Sequence, residues 1–258
     1  MHRVSISLAC CAALTLMSCG GGSAPEAKKE VKEAAPPAAA VDTANAGSIS
    51  GKVAFTGEKP APKEISMDAT PACARQHKGP IYAEDAVINS NGTLKNAFVY
   101  IKAGLAKRDY PVPATAVKLD QKGCVYAPHV LGVMVGQSLE ISNSDDTNHN
   151  IHPMPKVNRE WNESQPPKGD VKVKSFGQEE LPPILFKCNV HPWMRAWVGV
   201  SSHPYFAVTG EDGTFSLKDV PPGEYTVAVW HERFGTQESK VKVDAKQAQT
   251  VDFSIKAN

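Results

Sequence analysis

Phe186-Lys187-Cys188-Asn189-Val190-His191-Pro192-Trp193-Met194 is the stretch on which the reading of this chain turns. It sets a thiol, an imidazole and a thioether three residues apart, at Cys188, His191 and Met194, and Asn148-His149-Asn150 supplies a second imidazole upstream. Thiolate and thioether sulfurs are soft donors that favour copper. Two imidazoles and one thiolate in a plane, with a weak axial Met, form the donor set of blue-copper electron-transfer sites. Zinc does not ordinarily recruit the Met. The residue types therefore predict one copper ion held by His149, Cys188, His191 and Met194. Singly, each has a plainer reading: Cys188 as a buried apolar residue or half of a disulfide, His149 as a turn residue, Met194 as packing. The metal reading is carried by all four together, in this order.

The spacing has a geometric reason. Three ligands within seven residues converge on one ion only from a short loop between two strands, and the fourth must then arrive from elsewhere in the sheet. His149 follows Ser138-Leu139-Glu140-Ile141-Ser142-Asn143, whose apolar and polar residues alternate as in a half-buried strand, and precedes a turn-rich stretch ending near Gly169.

Gly136 to His152 and Ile184 to Val200 resemble the cupredoxins, the small blue-copper proteins such as plastocyanin and amicyanin. The C-x-x-H-x-x-M loop is most similar to the short amicyanin type, where a Pro also follows the ligand His. The resemblance implies a type 1 copper protein that passes single electrons between redox partner proteins. It also implies that Asn150 hydrogen-bonds across to the ligand loop and locks it. Pro192 and Trp193 would rim an exposed edge of His191 for transient docking, or Trp193 packs in the core. His129 and His152 are open: a second copper site, a widening of the first, or structural histidines. His77, His203 and His231 have no partner at ligand spacing.

A second resemblance lies outside this region. Gly47-Ser48-Ile49-Ser50-Gly51-Lys52-Val53-Ala54-Phe55-Thr56-Gly57 is similar to the opening strand of the carboxypeptidase regulatory-like, transthyretin-like sandwich. Glu211-Asp212-Gly213-Thr214-Phe215-Ser216-Leu217 through Val220-Pro221-Pro222-Gly223-Glu224-Tyr225-Thr226-Val227 resembles its closing hairpins. The expected class is all-β, a cupredoxin-like Greek-key sandwich plus a transthyretin-like one. Alternating stretches at 48–55, 97–102, 133–142, 184–187, 195–200, 214–217, 225–230 and 251–255 supply the strands, and no long 3.6-residue apolar stripe suggests a helical bundle. The favoured arrangement is discontinuous, with residues 47–114 and 203–258 forming one sandwich and 115–202 the inserted cupredoxin domain. The alternative is tandem, 47–202 followed by 203–258.

The N-terminus fits an extracytoplasmic copper protein. Met1-His2-Arg3 is followed by a largely apolar run to Met17, too short to span a bilayer, and Leu16-Met17-Ser18-Cys19 resembles a bacterial lipoprotein signal-peptidase site. That resemblance makes residues 1–18 the signal peptide and Cys19 the acylated residue, with Gly20 after it suggesting the outer membrane; an ordinary cleaved signal is the alternative. Residues 19–46 are rich in Ala, Pro, Lys and Glu and read as a disordered tether. Of six Cys, Cys73, Cys124 and Cys188 remain in the mature chain. With Cys188 on copper, Cys73 and Cys124 are a possible disulfide pair or two separate thiols.

Composition narrows the function further. Lys and Arg total 28 against 27 Asp and Glu, so no basic excess exists for nucleic acid. No Gly-x-Ser-x-Gly, His-Glu-x-x-His, phosphate-binding loop or C-x-x-C-H occurs, which disfavours an enzyme. Alternatives to electron transfer are a carbohydrate- or protein-binding lipoprotein and copper storage or delivery. A Cys19→Ala variant is expected to move from the membrane to the soluble fraction with its metal binding unchanged; unaltered fractionation would mean that lipidation does not hold it there.

Overall fold

The computed structural model describes residues 43–257. The signal peptide, Cys19 and most of the expected tether lie outside these residues. Among the described residues no helix is long and apolar enough to cross a membrane.

The chain runs through β1 (Gly47–Thr56), the one-turn helix α1 (Pro71–Ala74), β2 (Phe98–Ala103), β3 (Val117–Gln121), β4 (Tyr126–Ala127) and β5 (Val130–Met134). It continues through β6 (Leu139–Asn143), β7 (His149–Met154), β8 (Glu163–Gln165), β9 (Lys172–Lys174), β10 (Glu180–Lys187) and β11 (Arg195–Ser201). It ends with β12 (Phe206–Val208), β13 (Thr214–Val220), β14 (Gly223–His231), β15 (Gly235–Val243), β16 (Ala248–Thr250) and β17 (Phe253–Lys256). The protein is all-β, as its alternating apolar pattern requires.

The strands form four sheets. One has the order β13-β1-β16, with β17 also on β1, and a second β12-β2-β14-β15. Alternate residues of these strands, including Ile49, Val53, Val99, Ile101, Leu217, Val227 and Val229, bury into one shared core. The other two sheets, β5-β11-β10-β7-β8 and β4-β3-β6-β9, close on a core of Leu119, Ile141, Ile151, Phe186, Met194 and Val198. The segment between β1 and β2 serves both halves: Leu94 and Ala97 pack in the first core, while Met67 and Cys73 pack in the second.

The stretch 133–142, expected as one strand, is two. Gly136 has a φ of 81° and turns the chain between β5 and β6, a conformation open to glycine because it lacks Cβ. The turn-rich stretch expected between His149 and Gly169 holds two strands: His149 opens β7, which pairs with β10, and β8 lies beside it.

The two halves meet where a flat ring replaces side chains. Gly132 on β5 and Gly199 on β11 are register partners. A Cβ on Gly199 would lie 2.4 Å from Phe98 Cζ, and one on Gly132 would lie 2.4 Å from Phe206 Cε2. Phe98 and Phe206 stack at a centroid distance of 5.7 Å, and Phe98 is fully buried. The paired glycines thus form a slot in the sheet of β5 and β11 for an aromatic ring of the other half. Gly199→Ala is expected to lower the unfolding free energy by about 1–3 kcal/mol through overpacking, read as a shifted chemical-denaturation midpoint; an unchanged midpoint would show that Phe98 is free to move aside.

Candidate metal centre

Backbone pairing between β10 and β11 places the ligand loop. Lys187 pairs with Arg195, and the seven residues Cys188 to Met194 span the gap. Cys188 N–H donates to Met194 O at 3.2 Å and Met194 N–H to His191 O at 2.9 Å, which winds the loop so that every third residue faces inward. Cys188, His191 and Met194 are buried, whereas Asn189, Val190 and Pro192 point outward. His149 arrives from β7, the strand beside β10, and is fully buried.

Three of the four expected ligands converge. His149, Cys188 and His191 bring donor atoms within 4.8 Å of one another. The two Nδ1 atoms are 3.0 Å apart, and Cys188 Sγ lies 3.8 Å from Nδ1 of His191. Met194 packs in the same buried cluster as Cys188. A thiol, two imidazole nitrogens and a buried thioether fit a single ion of the copper type.

Hydrogen bonds orient each donor. Nε2 of His149 donates to Asp145 Oδ2 at 2.8 Å, which turns Nδ1 inward. Asp145 is itself buried and accepts from Gly123 N–H at 2.7 Å and Cys124 N–H at 2.8 Å. Those two residues are successive left-handed positions, with φ of 68° and 53°, so their N–H groups converge on one anion. Asn150 contacts the loop twice: its N–H reaches Cys188 Sγ at 3.4 Å, and its Oδ1 accepts from Asn189 N–H at 3.0 Å.

These contacts set the charges. Burial pushes the Cys188 thiol up, but the His149 imidazole and the N–H groups of His191, Asn150 and Val190 outweigh it and hold the thiol below its usual range. Burial likewise opposes an ionised Asp145, yet the His149 ring and the two N–H groups keep it below the ordinary carboxylate range. Burial also lowers His149, but Asp145 and Cys188 reverse that and raise it, while burial and then the nearby His149 lower His191.

The outer edge of His191 departs from expectation. It is not exposed: His191 is only 2% accessible, and its Nε2 lies 3.5 Å from Cys73 Sγ on the short helix α1. Cys73 is joined to Cys124 by a disulfide. Trp193 covers the other flank, its ring centroid 5.2 Å from that of His191 and its Nε1 donating to Cys124 O at 2.9 Å. Beyond Trp193 opens a cavity of about 530 Å³ whose walls include Ile65, Ile81, Tyr82, Tyr126 and Arg195.

His129, His152, His203 and His231 lie outside this cluster. His129 pairs with Glu232 and contacts Arg195 O, and Trp197 Nε1 donates to Glu232 at 2.8 Å. His152 lies between Glu160 and Asn189, at 2.6 and 3.1 Å. Neither joins a cluster of three metal-ligating groups among the described residues. His203 contacts Ile101 O at 2.9 Å, and burial pushes His231 down to about 4.

Residues 195–256 match the family model of the carboxypeptidase regulatory-like domain. The match begins in β11, inside the sheet β5-β11-β10-β7-β8, eight residues before the expected start at 203. No curated protein matches the chain in sequence. Among solved structures, the Cu-containing nitrite reductase (NirK) from Thermus scotoductus overlaps 39% of this chain at 22% identity and a TM-score of 0.28, and only 25% of that chain is covered. A purple cupredoxin from Nitrosopumilus maritimus overlaps 33% of this chain and 99% of its own, at 23% identity and a TM-score of 0.28. A mutant of amicyanin in its Cu(I) form overlaps 40% and 98%, at 23% identity and a TM-score of 0.30. Overlaps at these TM-scores carry no weight for function, which rests on the side chains themselves.

Asp145 is the residue that tests the orientation of His149. Asp145→Asn is expected to weaken metal binding about 10–100-fold, the usual effect of losing the partner of a ligand imidazole, measured by competition titration. An unchanged affinity in a folded variant would mean that the carboxylate does not position the ring.

Proposed function

We propose that this chain is a type 1 copper protein that carries single electrons, with His149, Cys188 and His191 as strong ligands and Met194 as the weak axial one. The observation that supports this most is the meeting of two imidazole nitrogens and one thiol sulfur within 4.8 Å of one another, all on buried residues. A copper ion held there would take up and give back one electron. The chain's own residues supply the rest: Cys188 is biased toward thiolate, Asp145 and Asn150 fix the donors, and the apolar core around Phe186 and Met194 excludes water.

With His191 covered, Trp193 is the side chain that joins it to the cavity, so redox partner proteins or small donors would approach on that side. The chain then acts as a carrier and not as an enzyme. The lipid anchor at Cys19, a periplasm-facing location at the outer membrane and the tether of about 27 residues after it, with a coil reach on the order of 30 Å, complete the proposal: a copper domain that swings between partners. The sequence of sheets favours the discontinuous arrangement, with the strands at 117–201 lying between the two parts of the other sandwich.

Adding Cu(II) to the metal-free protein should produce an intense visible charge-transfer band with reversible one-electron chemistry. Cys188→Ser should abolish the band and leave the β-sheet circular dichroism intact, while Met194→Gln should keep copper and shift the potential. A band that persists in Cys188→Ser would refute the ligand set.

A further inference from the structure

His191 faces two sets of donors. Its Nδ1 points toward His149 and Cys188, and its Nε2 points the opposite way, toward Cys73. Cys73 Sγ, Cys124 Sγ and a His191 ring nitrogen lie within 4.8 Å of one another, and all three residues are buried. His149 Nε2 meets Asp145 Oδ2 at 2.8 Å and the two Nδ1 atoms face each other at 3.0 Å, so Nε2 of His191 is the ring nitrogen left facing away from that centre. Nε2 of His191 lies 3.5 Å from a disulfide sulfur, which carries no hydrogen. As a disulfide, the two sulfurs are poor donors, because metals bind the thiolate.

Reduction changes this. A dithiol reductant breaks the Cys73–Cys124 bond in two exchange steps and closes into its own disulfide, leaving two thiols on the chain. A divalent ion entering between them displaces the two thiol protons to solvent. Two thiolates and an imidazole are a zinc donor set, and in a tetrahedron they leave a fourth position for water. The sulfurs need only separate to about 3.8 Å, the span of two thiolates on one zinc. Movement of that size is accessible here, since Cys73 sits on a helix of four residues within a segment whose neighbours are mostly exposed.

We propose that Cys73, Cys124 and Nε2 of His191 form a redox-gated zinc site, absent while the disulfide is closed and created by its reduction. The site is distinct from the four-ligand centre but shares His191 with it. The two centres require opposite nitrogens of the same ring, so filling one weakens the other.

The test does not depend on the copper reading, because it uses the full chain carrying Cys188→Ala, in which that centre lacks its thiolate. The protein is treated with dithiothreitol, freed of reductant under anaerobic conditions and titrated with zinc against a chromophoric chelator. One more equivalent of zinc should bind after reduction than before, and zinc should protect Cys73 and Cys124 from iodoacetamide in peptide maps. Adding Cys73→Ser, or His191→Gln, which keeps both thiols, should weaken that equivalent at least tenfold. Near-ultraviolet circular dichroism reports whether the reduced chain stays folded. Equal zinc uptake before and after reduction overturns the proposal. So does an extra equivalent that survives His191→Gln, a disulfide that stays closed in the folded protein, or a chain that unfolds on reduction.

Discussion

Two imidazole rings held Nδ1 to Nδ1 at 3.0 Å inside a buried core are the constraint around which this molecule is built. Two facing lone pairs repel, so such a pair persists only with a proton or a cation between the nitrogens. Everything nearby favours a positive centre. Asp145 is anionic and buried behind His149, and the Cys188 thiol is drawn toward its charged form beside His191. Buried charges of this kind are costly unless paired, and here the pairing runs through the centre itself.

Asp145 extends that constraint into the fold. Its carboxylate collects N–H groups from Gly123 and Cys124, residues held at positive φ, and so ties the β3–β4 turn to the first residue of β7. Cys124 then carries the disulfide to Cys73 and accepts the indole N–H of Trp193. A chain of short contacts thus runs from His149 through Asp145 and the disulfide loop to the far side of His191. The ligand loop is gripped from both ends, by this chain and by Asn150. Donor side chains held in place by the fold suit the proposed electron carrier, since geometry that does not relax on electron transfer keeps the barrier low.

How much of this is legible in the sequence depends on how local it is. Cys188, His191 and Met194 are readable because seven consecutive residues hold them, and the β10–β11 register closes that loop. The all-β class is readable from alternation at strands such as β1 and β14. Asp145 is not, although it sits four residues before His149, because its role depends on a turn more than twenty residues upstream. The burial of His191 is equally silent: nothing near position 191 announces that a four-residue helix more than a hundred residues earlier will cover it. The slot made by Gly132 and Gly199 has the same character, since only the register across two strands makes the pair. Local spacing picks out candidate ligands, and long-range pairing decides what surrounds them.

The central claim concerns which atoms touch the metal, and X-ray absorption of the copper-loaded full chain reads those atoms directly. The account predicts a first shell of one short copper–sulfur bond and two imidazole nitrogens, with at most a second, much longer sulfur. A first shell made only of nitrogen and oxygen, with no short sulfur, would contradict it.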